Sequence, residues 1–195
     1  MTDKRNITGI VLMGGKSSRM GADKAYSRIG NKTLLENSYE LLKEFCRDVI
    51  FSTGNHVVQT IPGQKNIPDE KQGLGPIGGI YSCLKHSETG TNIIIAVDIP
   101  FIDRRLIKFL LENYNNTDLL IPATHSNGIE PLCGIYNKSV LPLIELMINQ
   151  NDLKVQNLVN YCNSKILRIT KEMEFYDDRL FLNINTPEDL KSLQN

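Results

Sequence analysis

The chain has 195 residues, of which 41% are hydrophobic, and its 22 lysines and arginines balance 22 aspartates and glutamates. This length suits one domain that buries about 70% of its unfolded surface, so we expect residues 1–195 to form a single domain. A net charge of zero argues against a nucleic-acid-binding protein with a broad basic face, but it allows a local cationic pocket for a small anion. No apolar run approaches the roughly 20 residues that a membrane span needs.

The start of the chain and its cysteines favour a cytoplasmic protein. The segment Met1 to Asn6 is short and polar, so we expect neither a signal peptide nor membrane contact. Four cysteines, Cys46, Cys83, Cys133 and Cys162, are widely spaced without a C-x-x-C pair, and no histidine has metal-site spacing. We expect reduced cysteines in the core, and a chain that is a monomer or a weak homo-oligomer.

The first predicted element is a strand that runs into a glycine-rich loop. Residues Ile7 to Met13 are apolar and partly β-branched, and they stop at Gly14-Gly15. Glycine has no Cβ, so backbone N–H groups in this loop can approach an anion closely. Three cations follow, Lys16, Arg19 and Lys24. Because the Arg19 guanidinium can bind two phosphate oxygens at once, the stretch predicts a polyphosphate site.

Two better-known glycine loops do not fit this stretch. A Walker loop requires a glycine five residues before Gly15, where the chain has Ile10. The dinucleotide fingerprint G-x-G-x-x-G requires a glycine two residues after Gly14, where the chain has Lys16. The predicted phosphate loop is therefore of another kind.

Helices and strands alternate along the rest of the chain. The apolar spacing predicts a helix over 33–46, strands at 49–52 and 66–68, a helix at 80–84 after Pro76, and a strand over 92–97. Beyond them we expect a helix from an Asp103 cap to Asn113, strands at 119–121, 132–136 and 166–169, and a helix start at Thr186-Pro187. This alternation predicts an α/β fold, a three-layer, Rossmann-like, mostly parallel sheet with helices on both faces.

Asp98 follows the most clearly buried strand and precedes Ile99-Pro100-Phe101, whose proline stiffens the turn. Mg²⁺ takes one or two carboxylates and fills its other positions with water and phosphate oxygens, so we predict Asp98 as a magnesium ligand. The alternative is an aspartate that only hydrogen-bonds its own turn. Ligands of open parallel sheets lie beyond the carboxyl ends of the strands, where we expect the Gly14 loop, Asp69, Asp98 and Asn183 to converge.

Five separated motifs resemble the nucleotidyltransferases of sugar nucleotides and cofactors. They are L-M-G-G-K-S-S-R-M-G-A-D-K at 12–24, a D followed by G-P-I-G-G within 69–79, V-D-I-P-F at 97–101, E-P-L-C-G-I-Y at 130–136 and F-L-N-I-N-T-P at 181–187. The Asp23-Lys24 ending is most similar to that of molybdenum cofactor guanylyltransferases. Two positions depart from the family, Met13 where alanine is usual beside the nucleobase and Val97 where cysteine is usual. Residues 138–179 match no motif.

The resemblance implies transfer of GMP from GTP to the terminal phosphate of molybdopterin, with Mg²⁺ as cofactor and pyrophosphate as product. It implies that Arg19, Lys24 and Asp98 act in catalysis and that Asp98 binds the metal. Asn183 and Asn185, which we expect to alternate on a strand, would bind molybdopterin. The implied nucleotide-binding residues are Leu12, Met13, Gly14, Gly15, Lys24, Ser52, Asp69, Gly75 and Asp98. For Ser52-Thr53, capping of the strand is an equal alternative.

Three other functions stay open on the sequence. Two are sister activities, a molybdenum cofactor cytidylyltransferase and a sugar-phosphate nucleotidyltransferase. The third is a regulatory domain that binds a nucleotide without catalysis. The Asp23-Lys24 pair and the N-I-N-T-P segment favour the guanylyltransferase, and the presence of Arg19, Lys24 and Asp98 together argues against the regulatory domain.

Overall fold

A computed structural model describes residues 6–13, 24–54, 60–124, 128–184 and 189 of the chain. The predicted phosphate loop, with Gly14, Gly15 and Arg19, lies outside these residues. So do Asn185 and the predicted helix start at Thr186. Within the described ranges, every helix is too short or too polar to cross a lipid bilayer.

The first half of the chain alternates strands and helices as predicted. Its elements are β1 (Ile7–Leu12), a hairpin of β2 (Arg28–Ile29) and β3 (Lys32–Thr33), α1 (Leu34–Lys43), β4 (Asp48–Gly54), β5 (Lys65–Pro68), α2 (Pro76–His86) and β6 (Thr91–Ala96). Helix α1 begins at a capping box, because the Thr33 hydroxyl accepts the Glu36 N–H while the Glu36 carboxylate accepts the Thr33 N–H.

The second half adds α3 (Arg104–Asn113), β7 (Leu119–Thr124), β8 (Gly128–Ile129), β9 (Cys133–Asn137), α4 (Leu141–Asn149) and β10 (Ser164–Ile169). Two 3₁₀ helices, Lys138–Val140 and Val155–Asn160, flank α4. The Asp103 carboxylate accepts the Arg105 N–H at 2.6 Å, which confirms the predicted cap of α3.

The main sheet has the strand order β10-β7-β9-β6-β1-β4-β5, with β8 paired to the end of β7. Strands β6, β1, β4 and β5 run parallel, and β10 runs parallel to β7. Strand β9 lies antiparallel between β6 and β7. The sheet is therefore mostly parallel, as predicted.

Two hydrophobic cores cover the two faces of the sheet. One contains Leu35 and Leu42 of α1 with Ile107 of α3, and the other contains Ile80 of α2 with Ile144 of α4. Alternate residues of β1 and β4 enter opposite cores, as expected from the period of two along a strand. The helices thus lie on both faces, which confirms the three-layer α/β architecture.

One predicted strand is wrong. Residues 182–184, before the outlying Asn185, have no strand structure, so the alternation expected for Asn183 and Asn185 has no basis in the described residues. The physical reason is that the Ile184 N–H donates to the Asp98 carbonyl at 2.8 Å, and the segment is held by that bond to the turn after β6.

Gly134 allows β9 to pack between its two neighbours. A Cβ on Gly134 would lie 2.6 Å from the Leu120 carbonyl oxygen and 2.6 Å from Ile121 Cγ2. Both are fixed by β7, so a side chain here forces the strands apart.

We predict that Gly134→Ala lowers the free energy of unfolding by about 1–3 kcal/mol, the usual cost of overpacking a core. The matched control is Gly90→Ala, because a Cβ on Gly90 meets no described heavy atom within 4 Å. Urea denaturation of both variants measures the difference, and equal stabilities would contradict the proposed steric cause.

Candidate active site

Strand β1 lies at the point in the sheet where successive strands are added first on one side and then on the other. The chain passes from β1 to β4 and β5 on one side and returns to β6 on the other, which makes the crevice above β1 the expected ligand site. The Met13 N–H donates to the Ser52 carbonyl at 3.1 Å, and the Val97 N–H donates to the Leu12 carbonyl at 3.0 Å. The last residues of β1 are thus fixed between both neighbours, directly before the predicted phosphate loop.

Asp98 lies in the turn after β6, on one side of β1. Its side chain is partly buried, and burial raises the pKa of its carboxyl, while the Lys24 charge and a hydrogen bond from the Asn183 side chain act in the opposite direction. Asp98, Lys24 and Asn183, all predicted site residues, therefore lie together. A carboxylate that has lost part of its hydration gains from a further cation.

The oxygen atoms available around Asp98 would suit a magnesium ion whose other ligands are water and the phosphate oxygens of a bound substrate. No group of three or more His, Cys, Asp or Glu side chains at metal-binding distances occurs in the described part of the chain. Mg²⁺ needs no such cage, since it accepts one carboxylate with water and phosphate oxygens. The Asp98 carboxylate and the amide oxygen of Asn183 are hard donors of the required kind.

Asp69 lies on the other side of β1, directly after β5. Its N–H donates to the Gly54 carbonyl at 2.9 Å, which fixes the residue to the end of β4. The carboxylate oxygen Oδ1 is buried and has no hydrogen-bond partner among the described residues, and burial raises the pKa of this carboxyl. A buried acceptor without a partner costs free energy in the folded protein.

Ser52 lies beside Asp69, under the start of α2. A Cβ added to Gly79 would approach the Ser52 hydroxyl to 2.5 Å and Asp69 Oδ1 to 3.6 Å, so α2 packs closely over both side chains. The neighbouring Thr53 hydroxyl donates to the Ile67 carbonyl at 3.4 Å and connects β4 to β5. The structural alternative therefore fits Thr53, and the buried Ser52, which hydrogen-bonds the Cys83 side chain, stays a predicted site residue.

Gly75 sets the start of α2. Its φ of +67° and ψ of −151° lie where residues with a side chain are strained, and it directly precedes Pro76 at the first helical position. The Glu70 N–H donates to the Ser82 hydroxyl at 3.0 Å, which holds the Asp69 turn against α2. Gly75 thus positions the helix that covers Asp69.

A cavity of about 470 Å³ opens beside Asp98. Its polar lining residues are Asp98, Glu130, Lys154, Gln156 and Asn183, and its apolar lining includes Pro76, Ile99, Leu132, Leu153 and Phe181. Ser52 and Asp69 are on the far side of β1 and do not line it. The site therefore has two parts, one around Asp69 and one in this cavity, which we call the Asp98 cavity.

Three polar residues of the Asp98 cavity had no predicted role. Glu130 stands in a motif that the resemblance singled out without a function. Lys154 and Gln156 fall between residues 138 and 179, where no motif matches. Their one local signal is their position, because Lys154 and Gln156 flank buried Val155 at the start of a 3₁₀ helix.

The chain resembles known proteins along nearly all of its length. The family described as the MobA-like NTP transferase domain matches residues 9–164. A protein of Flavobacterium johnsoniae named "Probable molybdenum cofactor guanylyltransferase" is 32% identical over 187 residues, which are 96% of each protein. A protein of the same name from Pelotomaculum thermopropionicum is 31% identical and covers 94% of this chain and 89% of its own. The crystal structure of molybdopterin-guanine dinucleotide biosynthesis protein A from Archaeoglobus fulgidus is 27% identical, with a TM-score of 0.74 over 95% of both chains. These likenesses confirm the resemblance carried by the five motifs, and the chain belongs to the MobA-like NTP transferase domain family.

Proposed function

We propose that this protein transfers GMP from GTP to the terminal phosphate of molybdopterin and releases pyrophosphate. The observation that carries the proposal is the position of Asp98, which contacts Asn183, faces the charge of Lys24 and borders a cavity large enough for a second substrate. The nucleotide side, around Asp69, lies across β1. The names of the two relatives and of the archaeal protein support the same reaction.

In this reaction the protein mainly positions the two substrates and neutralises the charge of their phosphates. The attacking phosphate of molybdopterin is already an anion, so no general base is required at neutral pH. Lys24 lies close enough to Asp98 to balance phosphate charge there, and Arg19 with the Gly14-Gly15 amides is proposed to bind the rest of the triphosphate. Asp98 and Asn183 would hold Mg²⁺, which supplies further charge neutralisation at the reacting phosphates.

Asp69 is proposed to select guanine. The Watson–Crick edge of guanine carries two neighbouring donors, the N1–H and the 2-amino group, whereas that of cytosine carries one donor, the 4-amino group, beside two acceptors, N3 and O2. An ionised carboxylate only accepts hydrogen bonds, so Asp69 would pair with two groups of guanine but with only one group of cytosine. Asp69 is only partly buried, which leaves its side chain accessible to such a pairing.

The test is a transfer assay with molybdopterin, Mg²⁺ and each of GTP, CTP, ATP and UTP in turn. We expect molybdopterin guanine dinucleotide and stoichiometric pyrophosphate with GTP, and much slower transfer from the others. Transfer from CTP alone would indicate the sister cytidylyltransferase. Nucleotide binding without transfer to molybdopterin would indicate another acceptor or a binding domain, and would overturn the proposal.

We predict that Asp98→Asn lowers the transfer rate by about a hundredfold or more, the size of losing one electrostatic stabiliser of the transition state. The variant should fold as well as the wild type in the absence of metal, because it removes a partly buried charge. Asp178→Asn is the control, since that side chain is 80% exposed. Steady-state rates and thermal unfolding of the three proteins decide this, and retained activity in Asp98→Asn would place the metal elsewhere.

Asp69→Asn is predicted to stabilise the unliganded protein while weakening GTP binding by about 10- to 100-fold, the loss of a hydrogen bond to a charged group. The pKa of Asp69 is raised by folding, so wild-type stability falls as pH rises from the ordinary aspartate pKa through the folded value. The stability advantage of the variant should therefore be absent at acid pH and present at neutral pH. Urea unfolding at both pH values and titration with GTP measure the two effects. A variant less stable than wild type at neutral pH would show that Asp69 has a partner in the unliganded protein.

A further inference from the structure

The turn between β8 and β9, Glu130-Pro131-Leu132, is held rigidly at the edge of the Asp98 cavity. The Glu130 N–H donates to the Pro122 carbonyl at 2.9 Å, and the Glu130 carbonyl accepts the Cys133 N–H at 3.1 Å. The Tyr136 hydroxyl, on a fully buried side chain, donates to the Pro131 carbonyl. Backbone groups throughout the turn are thus fixed to β7 and β9, and the turn is a rigid support for its one charged side chain.

The same turn is tied to the position of Asp98. The Ala96 N–H donates to the Leu132 carbonyl at 2.9 Å, and Ala96 is the last residue of β6, two residues before Asp98. Glu130, Pro131 and Leu132 all line the cavity that Asp98 borders. The position of the Glu130 backbone relative to Asp98 is therefore fixed by the sheet.

The lining of the cavity combines apolar residues with charged and polar ones. Its lining residues include Ile99, Leu132 and Phe181, which are apolar, and Glu130, whose carboxylate only accepts hydrogen bonds when ionised. A pterin is a 2-amino-4-oxopteridine, whose pyrimidinone edge presents an N3–H beside an amino group. This is the same pair of donors that guanine presents, so the same kind of hydrogen-bond acceptor can bind both substrates of the proposed reaction.

We propose that Glu130 is the specificity-determining residue for the second substrate, and that its carboxylate binds the amino-pyrimidinone edge of the pterin ring. This inference rests on the proposed function. The pterin ring lies against the apolar walls, and its phosphate-bearing end extends toward Asp98. Two carboxylates, Asp69 and Glu130, then recognise the same chemical edge in two different substrates, one on each side of β1.

The first test uses the wild-type protein and two fluorescent probes, 6-hydroxymethylpterin and 6-hydroxymethyl-lumazine. Lumazine carries a carbonyl oxygen in place of the 2-amino group, so it turns a donor into an acceptor that faces the Glu130 carboxylate. We expect the pterin to bind about tenfold tighter or more, since one charge-assisted hydrogen bond is lost and a repulsion is gained. Equal affinity of the two probes would overturn the inference.

The second test compares Glu130→Gln with Glu112→Gln, a control on the exposed face of α3 whose side chain is 60% exposed. Glu130→Gln should lose the preference for pterin over lumazine and raise the KM for molybdopterin about tenfold, with GTP affinity and kcat unchanged. Glu130→Asp, which keeps the carboxylate, should retain the preference at weaker affinity. A preference that survives Glu130→Gln, or an equal loss of GTP and pterin binding, would assign Glu130 a structural role.

The two proposals fail in different ways. Absence of GMP transfer by the wild-type protein would overturn the proposed function, whatever the probes show. Normal transfer by Glu130→Gln, with an unchanged KM for molybdopterin, would overturn only the role of Glu130.

Discussion

The parallel pairing of β1 with both β4 and β6 is the constraint on which the site depends. One residue register fixes Leu12 opposite Ser52 on one side and opposite Ala96 on the other. The three strands therefore end within two residues of one another, and the residues that follow them are brought to one edge of the sheet. Asp69 reaches this edge through the pairing of β5 with β4, and Asp98 reaches it by following β6. The separation of the two carboxylates by β1 follows directly from this strand order.

The ionised forms of Asp69 and Asp98 are less favourable in the unliganded protein than they would be in water. Burial is the main cause of the raised pKa of Asp69 and of Asp98, and in Asp98 the charge of Lys24 and the Asn183 hydrogen bond offset it only in part. Burial of these groups opposes folding, and we propose that ligands which bring donors or positive charge account for their position. Guanine donors at Asp69 and a metal ion at Asp98 provide these in the proposed reaction. In that proposal, ligand binding supplies the hydrogen-bond donors and the positive charge that the two carboxylates lack in the unliganded protein.

Local sequence signals predicted the parts of the site that depend on local structure. The strand before Asp98 and the cap at Asp103 depend on residues that are adjacent in the sequence, and both are present in the structure. The antiparallel direction of β9 has no such signal, because an apolar strand reads the same in either direction. The strand expected around Asn183 was wrong because its backbone is bonded to Asp98, a partner 86 positions earlier in the chain. Lys154 and Gln156 were missed for a related reason, since only the folded chain brings their 3₁₀ helix to the cavity.

The antiparallel strand explains why Glu130 belongs to the site. In a wholly parallel sheet, the residues before a strand lie at the opposite edge from the ligand, because every strand begins there. Strand β9 instead begins at the carboxyl edge, where Cys133 pairs with Ile95 near the end of β6, and ends beside Thr91. The turn that precedes β9 is thereby delivered next to Asp98 and held there by the bond from Ala96 to Leu132. Reversing one strand gives the sheet an additional, rigid turn at its carboxyl edge, and in the proposed reaction this turn borders the cavity for the second substrate.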